Sequence, residues 1–326
     1  MADFAAEPVA MSSTAFRFEQ DNGKLFLLYL KTMFLSVVTL GIYFFWGRVA
    51  ITKYLYGHTS FGGRPFDYHA TGKEMFIGFL KGMGIVAGFG LVIVVIIRIA
   101  PLLLAPVYML SIIGFVFFLT PFILIGKWRF WLSRSSWCNV RFRHHGEYND
   151  LLGIWIKGVL LIMVTLGFYS PILQNRLQKY YTDKITFGTL PFSFDGVDRE
   201  YFWIWLKGIL LTIVTLGIYS FWFGATINRY IFSHTTLKSR RFGSTMTGGG
   251  LFGIAIVNMF IVICTLGFGF PIAVNRMYGY FLSNITLDAN PDDLATVAGK
   301  MDAGASALAS GIEDAANVID AVSGVF

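Results

Sequence analysis

The stretch Lys207-Gly-Ile-Leu-Leu-Thr-Ile-Val-Thr-Leu-Gly-Ile-Tyr219-Ser220 decides the reading of this chain, because it is written more than once. It stands fifty residues earlier as Lys157-Gly-Val-Leu-Leu-Ile-Met-Val-Thr-Leu-Gly-Phe-Tyr169-Ser170. Near the N-terminus it reads Lys31-Thr-Met-Phe-Leu-Ser-Val-Val-Thr-Leu-Gly-Ile-Tyr43-Phe44, and downstream, altered, Asn258-Met-Phe-Ile-Val-Ile-Cys-Thr-Leu-Gly-Phe-Gly269-Phe270. A fixed period means one supersecondary unit copied along the chain, and it takes precedence over other signals. Five repeats are predicted, at about 16–65, 66–141, 142–191, 192–241 and 242–287. The second carries an insertion of 26 residues, which makes its apolar region long enough for two spans with Arg98 and Pro101 between them.

Each ordinary repeat has the same internal grammar. After Thr-Leu, Gly167 sits where a helix C′ residue favours left-handed geometry. Ser170-Pro171 then reads as an N-cap with Pro at the first helical position. The expectation is helix, break, second helix, the second arm being more polar. A cassette of aromatic residues at alternate positions followed by Gly precedes each pair: Phe16-Arg-Phe18, Phe66-Asp-Tyr68, Phe142-Arg-His144, Phe192-Ser-Phe194 and, more loosely, Phe242-Gly-Ser244. Period-two alternation ending in Gly predicts a short strand and turn. Lys184-Ile-Thr-Phe187 with Phe192–Phe194 predicts a hairpin across Gly188–Pro191.

The composition is that of a membrane protein: 55% hydrophobic, 14% charged, mean hydropathy +0.62, against about 25% charged in soluble domains. Stretches such as Phe76–Ile97, Leu102–Ile125 and Tyr201–Ile227 exceed the roughly 20 residues of a membrane-crossing helix. The predicted fold class is therefore an all-α polytopic membrane protein, with repeats of broken apolar helices joined by short, basic, hairpin-like loops. Residues 1–15 are expected to be a disordered N-terminus, 16–287 the membrane domain and 288–326 an acidic Ala/Gly-rich tail. That tail has seven acids against Lys300, a net of −6, so residues 1–287 carry +13 within a total of +7. No inter-repeat loop lacks Lys or Arg, which favours in-and-out hairpins with every loop in the cytoplasm. The length of the second arms opposes full crossing, since Tyr219–Phe232 makes only about 21 Å of helix. No apolar run follows a basic start in Met1–Gln20, so no cleavable signal is expected.

Phe-x-Phe with Gly, then Thr-Leu-Gly-Ile-Tyr with Trp close by (Tyr43 and Trp46, Tyr219 and Trp222), resembles the YjgN-like family of bacterial inner-membrane proteins, catalogued as a domain of unknown function. The resemblance covers about residues 16–287. It implies a multi-pass protein of the bacterial inner membrane, with a membrane protein such as a metallopeptidase as candidate partner. It implies no substrate, cofactor or catalytic residue. Repeat two lacks Thr-Leu-Gly, and Gly269 replaces Tyr in repeat five, so equal roles do not follow.

Two sets of polar positions are candidates for function. Lys31, Lys81, Lys157 and Lys207, with Asn258 in the fifth repeat, form an intramembrane ladder; such groups are costly and often functional, although each Lys can also snorkel to the headgroups. Asn175-Arg176, Asn228-Arg229 and Asn275-Arg276 could line a cavity or bind lipid phosphate, or else cap the short arms. His144-His145 with Glu147 and Asp150 contains metal-competent groups, but neighbouring strand residues face opposite ways. Gly78, Gly82, Gly84 and Gly88 suit close helix packing in lipid. No cofactor, metal or nucleic acid is expected, and no enzymatic activity; anionic lipid headgroups are the expected contacts. The function expected is a membrane-embedded scaffold or accessory subunit, with a transporter or channel for a small solute or lipid as the alternative.

Overall fold

The computed structural model describes residues 14–99 and 104–296. The expectations for the N-terminus up to residue 13, for Pro101 and for the tail beyond 296 lie outside them. The described residues form five β–α–α–β units. The first is β1 (Thr14–Phe18), α1 (Asn22–Val38), α2 (Phe44–Gly57) and β2 (Thr59–Phe61). The second is β3 (Arg64–Tyr68), α3 (Gly72–Ile99), α4 (Leu104–Gly114), a π-helical turn at Phe115–Leu119, α5 (Thr120–Ser133) and β4 (Ser135–Trp137). Then follow β5 (Val140–His144), α6 (Tyr148–Val164), α7 (Ser170–Asp183) and β6 (Ile185–Phe187); β7 (Leu190–Phe194), α8 (Asp198–Val214), α9 (Ser220–Ser233) and β8 (Thr235–Leu237); and β9 (Arg240–Ser244), α10 (Gly248–Cys264), α11 (Phe270–Ser283) and β10 (Ile285–Leu287).

The all-α polytopic expectation is corrected by the strands. All ten close into one antiparallel barrel, β2 to β10 in chain order with β1 pairing both β2 and β10. The hairpin-like loops are thus the walls of a β-barrel crowning the helices. The second correction concerns length. Among the described residues one helix, at Gly72–Val95, is long and apolar enough to cross a membrane; the other arms are 17 residues or shorter, about 25 Å at most.

Five cross-strand pairs fill the barrel: Phe16 with Phe61, Phe66 with Trp137, Phe142 with Phe187, Phe192 with Leu237, and Phe242 with Leu287. They make two stacked circles. Phe61, Trp137, Phe187, Leu237 and Leu287 are buried, and the five Phe of the odd strands pack against them. Neighbouring rings lie 5.6 Å apart at Phe61–Trp137 and 6.0 Å at Phe192–Phe242. Aromatic cross-strand pairs stabilise a sheet by about 0.2–1 kcal/mol each. The tight turns between units use left-handed residues, Gly62-Gly63 and Cys138-Asn139, as two-residue hairpins require. The outer mouth is stoppered by the start of the C-terminal segment: Ala289 and Leu294 join the core, and Asp292 pairs with Arg64 at 2.7 Å. There Asn290 Oδ1 accepts from the Asp292 N–H, capping the helical turn.

At the far end of each ordinary hairpin lies Thr-Leu-Gly. Thr215 Oγ1 donates to the Leu211 carbonyl at 2.8 Å and accepts from the Tyr219 N–H at 2.9 Å. Thr39, Thr165 and Thr265 make the same two bonds. The hydroxyl therefore holds the end of one helix and the start of the next. Leu216 and Gly217 both have positive φ, 51° and 95°; for a Leu this conformation costs about 1–2 kcal/mol, and it throws a 94%-exposed side chain off the apex. Thr215→Val, which keeps the shape and removes both bonds, is expected to lower stability by about 1–3 kcal/mol. Thermal unfolding in detergent checks it: Thr215→Ser should recover most of the loss, and a Val variant equal to wild type would refute the pinning role.

Candidate functional site

Polar side chains gather where the arms meet the barrel. Tyr54, Tyr180, Tyr230 and Tyr280 occupy the same place in their second arms. Each hydroxyl donates to the backbone carbonyl that starts its own first arm: Asp21 at 2.8 Å, Glu147 at 2.6 Å, Val197 at 3.0 Å and Thr247 at 3.2 Å. Four residues on, the His58 and His234 rings and the Asn284 amide bond back to the Tyr54, Tyr230 and Tyr280 carbonyls. These are helix-end functions.

The lysines of the ladder are all exposed on the first arms: Lys31, Lys81, Lys157 and Lys207. They lie on separate hairpins and converge on nothing among the described residues. Asn258 does not belong with them. Counted from the helix starts, Val257 takes the lysine position and Asn258 stands level with Thr32, Gly158 and Gly208. That level is where the two arms of a hairpin cross. A Cβ on Gly158 would meet the Leu173 side chain at 2.2 Å, and on Gly208 the Phe223 ring at 2.0 Å. In the first hairpin the small partner is Gly47, against Thr32. Asn258 is buried, its amide donating to the Ala273 carbonyl at 3.0 Å. A small residue on either arm thus accommodates a larger one opposite. Gly208→Leu should drive the arms apart and lower the melting temperature, and Phe223→Ala on that background should restore part of it.

The Asn-Arg pairs separate in the same way. Asn175 and Asn275 are buried at equivalent positions, while Asn228 sits one turn further along its arm and bonds only its own helix, at Gly224. Asn175 donates to Asp198 Oδ1 at 2.9 Å and Asn275 to Asn22 Oδ1 at 2.7 Å. Both reach the first residue of the neighbouring hairpin. Arg176 pairs with Asp198 at 2.8 Å, and Arg229 reaches Thr226 at 3.4 Å; Arg276 is half-buried, with its Nε unpartnered among the described residues. Asn175, Arg176 and Asn275 thus join hairpin to hairpin, while Asn228 and Arg229 bond within α9. A Cβ added at Gly78, Gly82, Gly84, Gly88 or Gly90 would meet nothing within 4 Å among the described residues, so these five glycines make no close packing there.

His144 and His145 point apart. His145 is exposed and contacts Thr186 Oγ1 at 3.2 Å; His144 is buried, with Nδ1 accepting from the Gly146 N–H at 3.1 Å. That bond makes the ring neutral with the proton on Nε2. Burial, then Arg129, His145 and Lys184, pushes its pKa down to about 4. At the equivalent position of β3, burial raises the Tyr68 hydroxyl to about 12, with Tyr56 adding and Arg48 pulling back. Because the folded-state pKa of His144 lies below the ordinary 6.5, its contribution is intact above about pH 6.5 and lost as pH falls toward 4. His144→Phe, copying Phe194 of β7, should flatten the fall in melting temperature between about pH 7 and pH 5. An unchanged slope would remove His144 from that transition.

One cation of the second arms is not singled out by the sequence. Arg48 lies on α2 only eight residues past the Leu40 apex. Its guanidinium stands 6.0 Å from the centre of the Trp131 ring on α5. It borders a cavity of about 630 Å³ lined by residues of α1 and α2, Tyr29, Thr32, Met33, Ser36 and Thr52 among them. The signal available was its place: a basic residue within a second arm rather than in a loop between units.

This arrangement defines a class: a closed barrel carrying a ring of apolar helical hairpins. The chain belongs to the family described as "Bacterial protein of unknown function (DUF898)", whose model matches residues 13–196, 189–243 and 223–315. It is YjgN-like. It is similar to "Inner membrane protein YjgN" of Salmonella typhimurium, 38% identical over 63 residues, 19% of this chain and 16% of that protein. The protein of the same name from Escherichia coli K12 is 35% identical over 68 residues, 21% of this chain and 17% of that one. The matched stretches are therefore a small part of each relative. No solved structure matches the chain.

Proposed function

We propose that this protein is a scaffold seated in the bacterial inner membrane, its hairpins sunk into one leaflet and its barrel on the cytoplasmic face. The observation that carries the reading is the placement of exposed apolar side chains. In the third unit they run from Leu160 to Phe168, in the fifth from Val257 to Phe270, both around the apices. In α8 they begin at Leu210, except for Trp203, and lead to Leu216 at the tip. Six rises of helix are about 9 Å, a third of a hydrocarbon core of about 30 Å. Lys157 and Lys207 stand just before this zone, where a long stem lets the ammonium reach the headgroups. The relatives named as inner membrane proteins support the location. On the barrel Arg64, Arg141, Arg143, Lys238 and Arg241 are exposed, which favours the cytoplasmic side. Among the described residues only the second hairpin, through α3, has the length to go across.

A scaffold reading follows from the packed barrel. Two circles of large apolar side chains occupy its axis, so a solute path along that axis has no room. The exposed walls would instead hold a second membrane protein, for which the family resemblance suggests a metallopeptidase. Catalysis forms no part of this proposal.

Inverted membrane vesicles test the placement. With Cys138 and Cys264 replaced by Ser, Thr189→Cys and Ser239→Cys in the barrel turns should react with an impermeant thiol reagent only from the cytoplasmic side. Labelling from the periplasmic side would overturn the orientation. The double variant Leu166→Asp, Leu216→Asp should shift protein out of the carbonate-resistant membrane fraction by several-fold. Lys157→Leu with Lys207→Leu should lower yield or melting temperature without any specific defect; a well-folded double variant losing a growth or transport phenotype would instead bring the carrier alternative forward.

A further inference from the structure

The second arms share an inner side. Each packs against the first arm of the next hairpin, and α11 closes the circle on α1. Side chains on the remaining face of neighbouring second arms meet: Arg48 of α2 reaches Trp131 of α5, and Trp128 of α5 stacks on Tyr181 of α7 at 5.2 Å. Below the barrel this leaves the cavity of about 630 Å³ on the inner side of α1 and α2, a size that suits a small molecule. Its walls grade along their length. Met33, Val37 and Phe44, with Ser36 among them, stand toward the apex, while Arg48, Thr52, Thr32 and Tyr29, with Ile51, stand nearer the barrel.

Among the described residues the Arg48 guanidinium has no ion pair and no hydrogen bond; the nearby acid, Glu74, is held by Arg134 at 2.9 Å. Arg48 is exposed to this cavity, and in the one-leaflet reading it faces lipid rather than bulk water, where an anion is its best partner. Two polar atoms of this region, unlike Arg48, are buried and unpartnered, Ser36 Oγ in the cavity wall and Tyr68 Oη on the 5%-exposed ring beside Trp131. The polarity runs head to tail as in a lipid of the leaflet into which the hairpins dip: charge toward the barrel, hydrocarbon toward the apices.

We propose that this cavity holds one anionic phospholipid, its phosphate on Arg48 and its acyl chains running past Met33, Val37 and Phe44 toward the apices. The inference rests on the one-leaflet reading above. Arginine suits the role because its planar fork presents paired donors to phosphate oxygens. The lipid would fill the inner side of the first two hairpins and hold them together.

The test uses full-length protein purified from inner membranes in mild detergent, with native mass spectrometry and phosphorus analysis of the bound lipid. Wild type should retain one anionic phospholipid per chain, and after delipidation should take up phosphatidylglycerol in preference to phosphatidylcholine. Arg48→Gln should retain at least ten-fold less, and Arg48→Lys an intermediate amount. Should Arg48→Gln fail to fold, Ile51→Trp, which fills the cavity and keeps the guanidinium, should expel the lipid. Displacement of the lipid by millimolar inorganic phosphate would assign the site to free phosphate and overturn the lipid. Equal retention by membrane-extracted wild type and the folded variants would also overturn it while leaving the membrane placement intact. Absence of wild type from the membrane fraction would instead strike the placement itself.

Discussion

The pairing of β1 with β10, Thr14 opposite Leu287 and Ala15 opposite Thr286, is the joint on which the architecture depends. Every other neighbouring pair of strands is linked within one unit or by a turn; this one joins chain segments more than 270 residues apart. When it forms, ten short strands that would be marginal alone have no open edge, and each hairpin acquires a fixed neighbour on both sides. Asn275 on Asn22 and α11 on α1 repeat the closure one layer down. The C-terminal segment adds a third tie, with Leu294 in the barrel core and Asp292 on Arg64.

Local grammar was legible in the sequence and closure was not. The helix break at Gly167 and the hairpin across Gly188 are decided by residues within a few positions, so their chemistry shows in the text. That five hairpins would meet in a circle depends on pairings such as Phe142 with Phe187 across an intervening pair of arms. Nothing in a three-residue strand announces it, and the cassettes therefore read as loops between spans. Apolar runs misled in the opposite direction: Tyr201–Ile227 is long enough to cross a bilayer only if the Thr-Leu-Gly turn inside it is straightened.

The polar positions show how residue type and register can diverge. Asn258 looks like a softened member of a lysine series, but helix counting puts it at the arm crossing, where Gly208 and Gly158 stand for steric reasons. Asn228-Arg229 looks like Asn175-Arg176 and is one turn away from it. Similar letters came from different physical demands: an amide bridging to the next hairpin in one case, an amide folded onto its own helix in the other. Arg48 diverges the other way, reading as one more loop cation while sitting on an inner helix face.

The second unit shows what a hairpin design of this kind permits. Its added residues enter at the apex end, lengthening α3 and the return through α4 and α5, while β3 and β4 keep the pairing seen elsewhere. Because the barrel end of each hairpin is anchored and the apex end is free, added chain alters how deep one finger reaches and leaves the crown unchanged. Reach is therefore an adjustable dimension of this fold, independent of its closure: one barrel carries four short fingers and one long one.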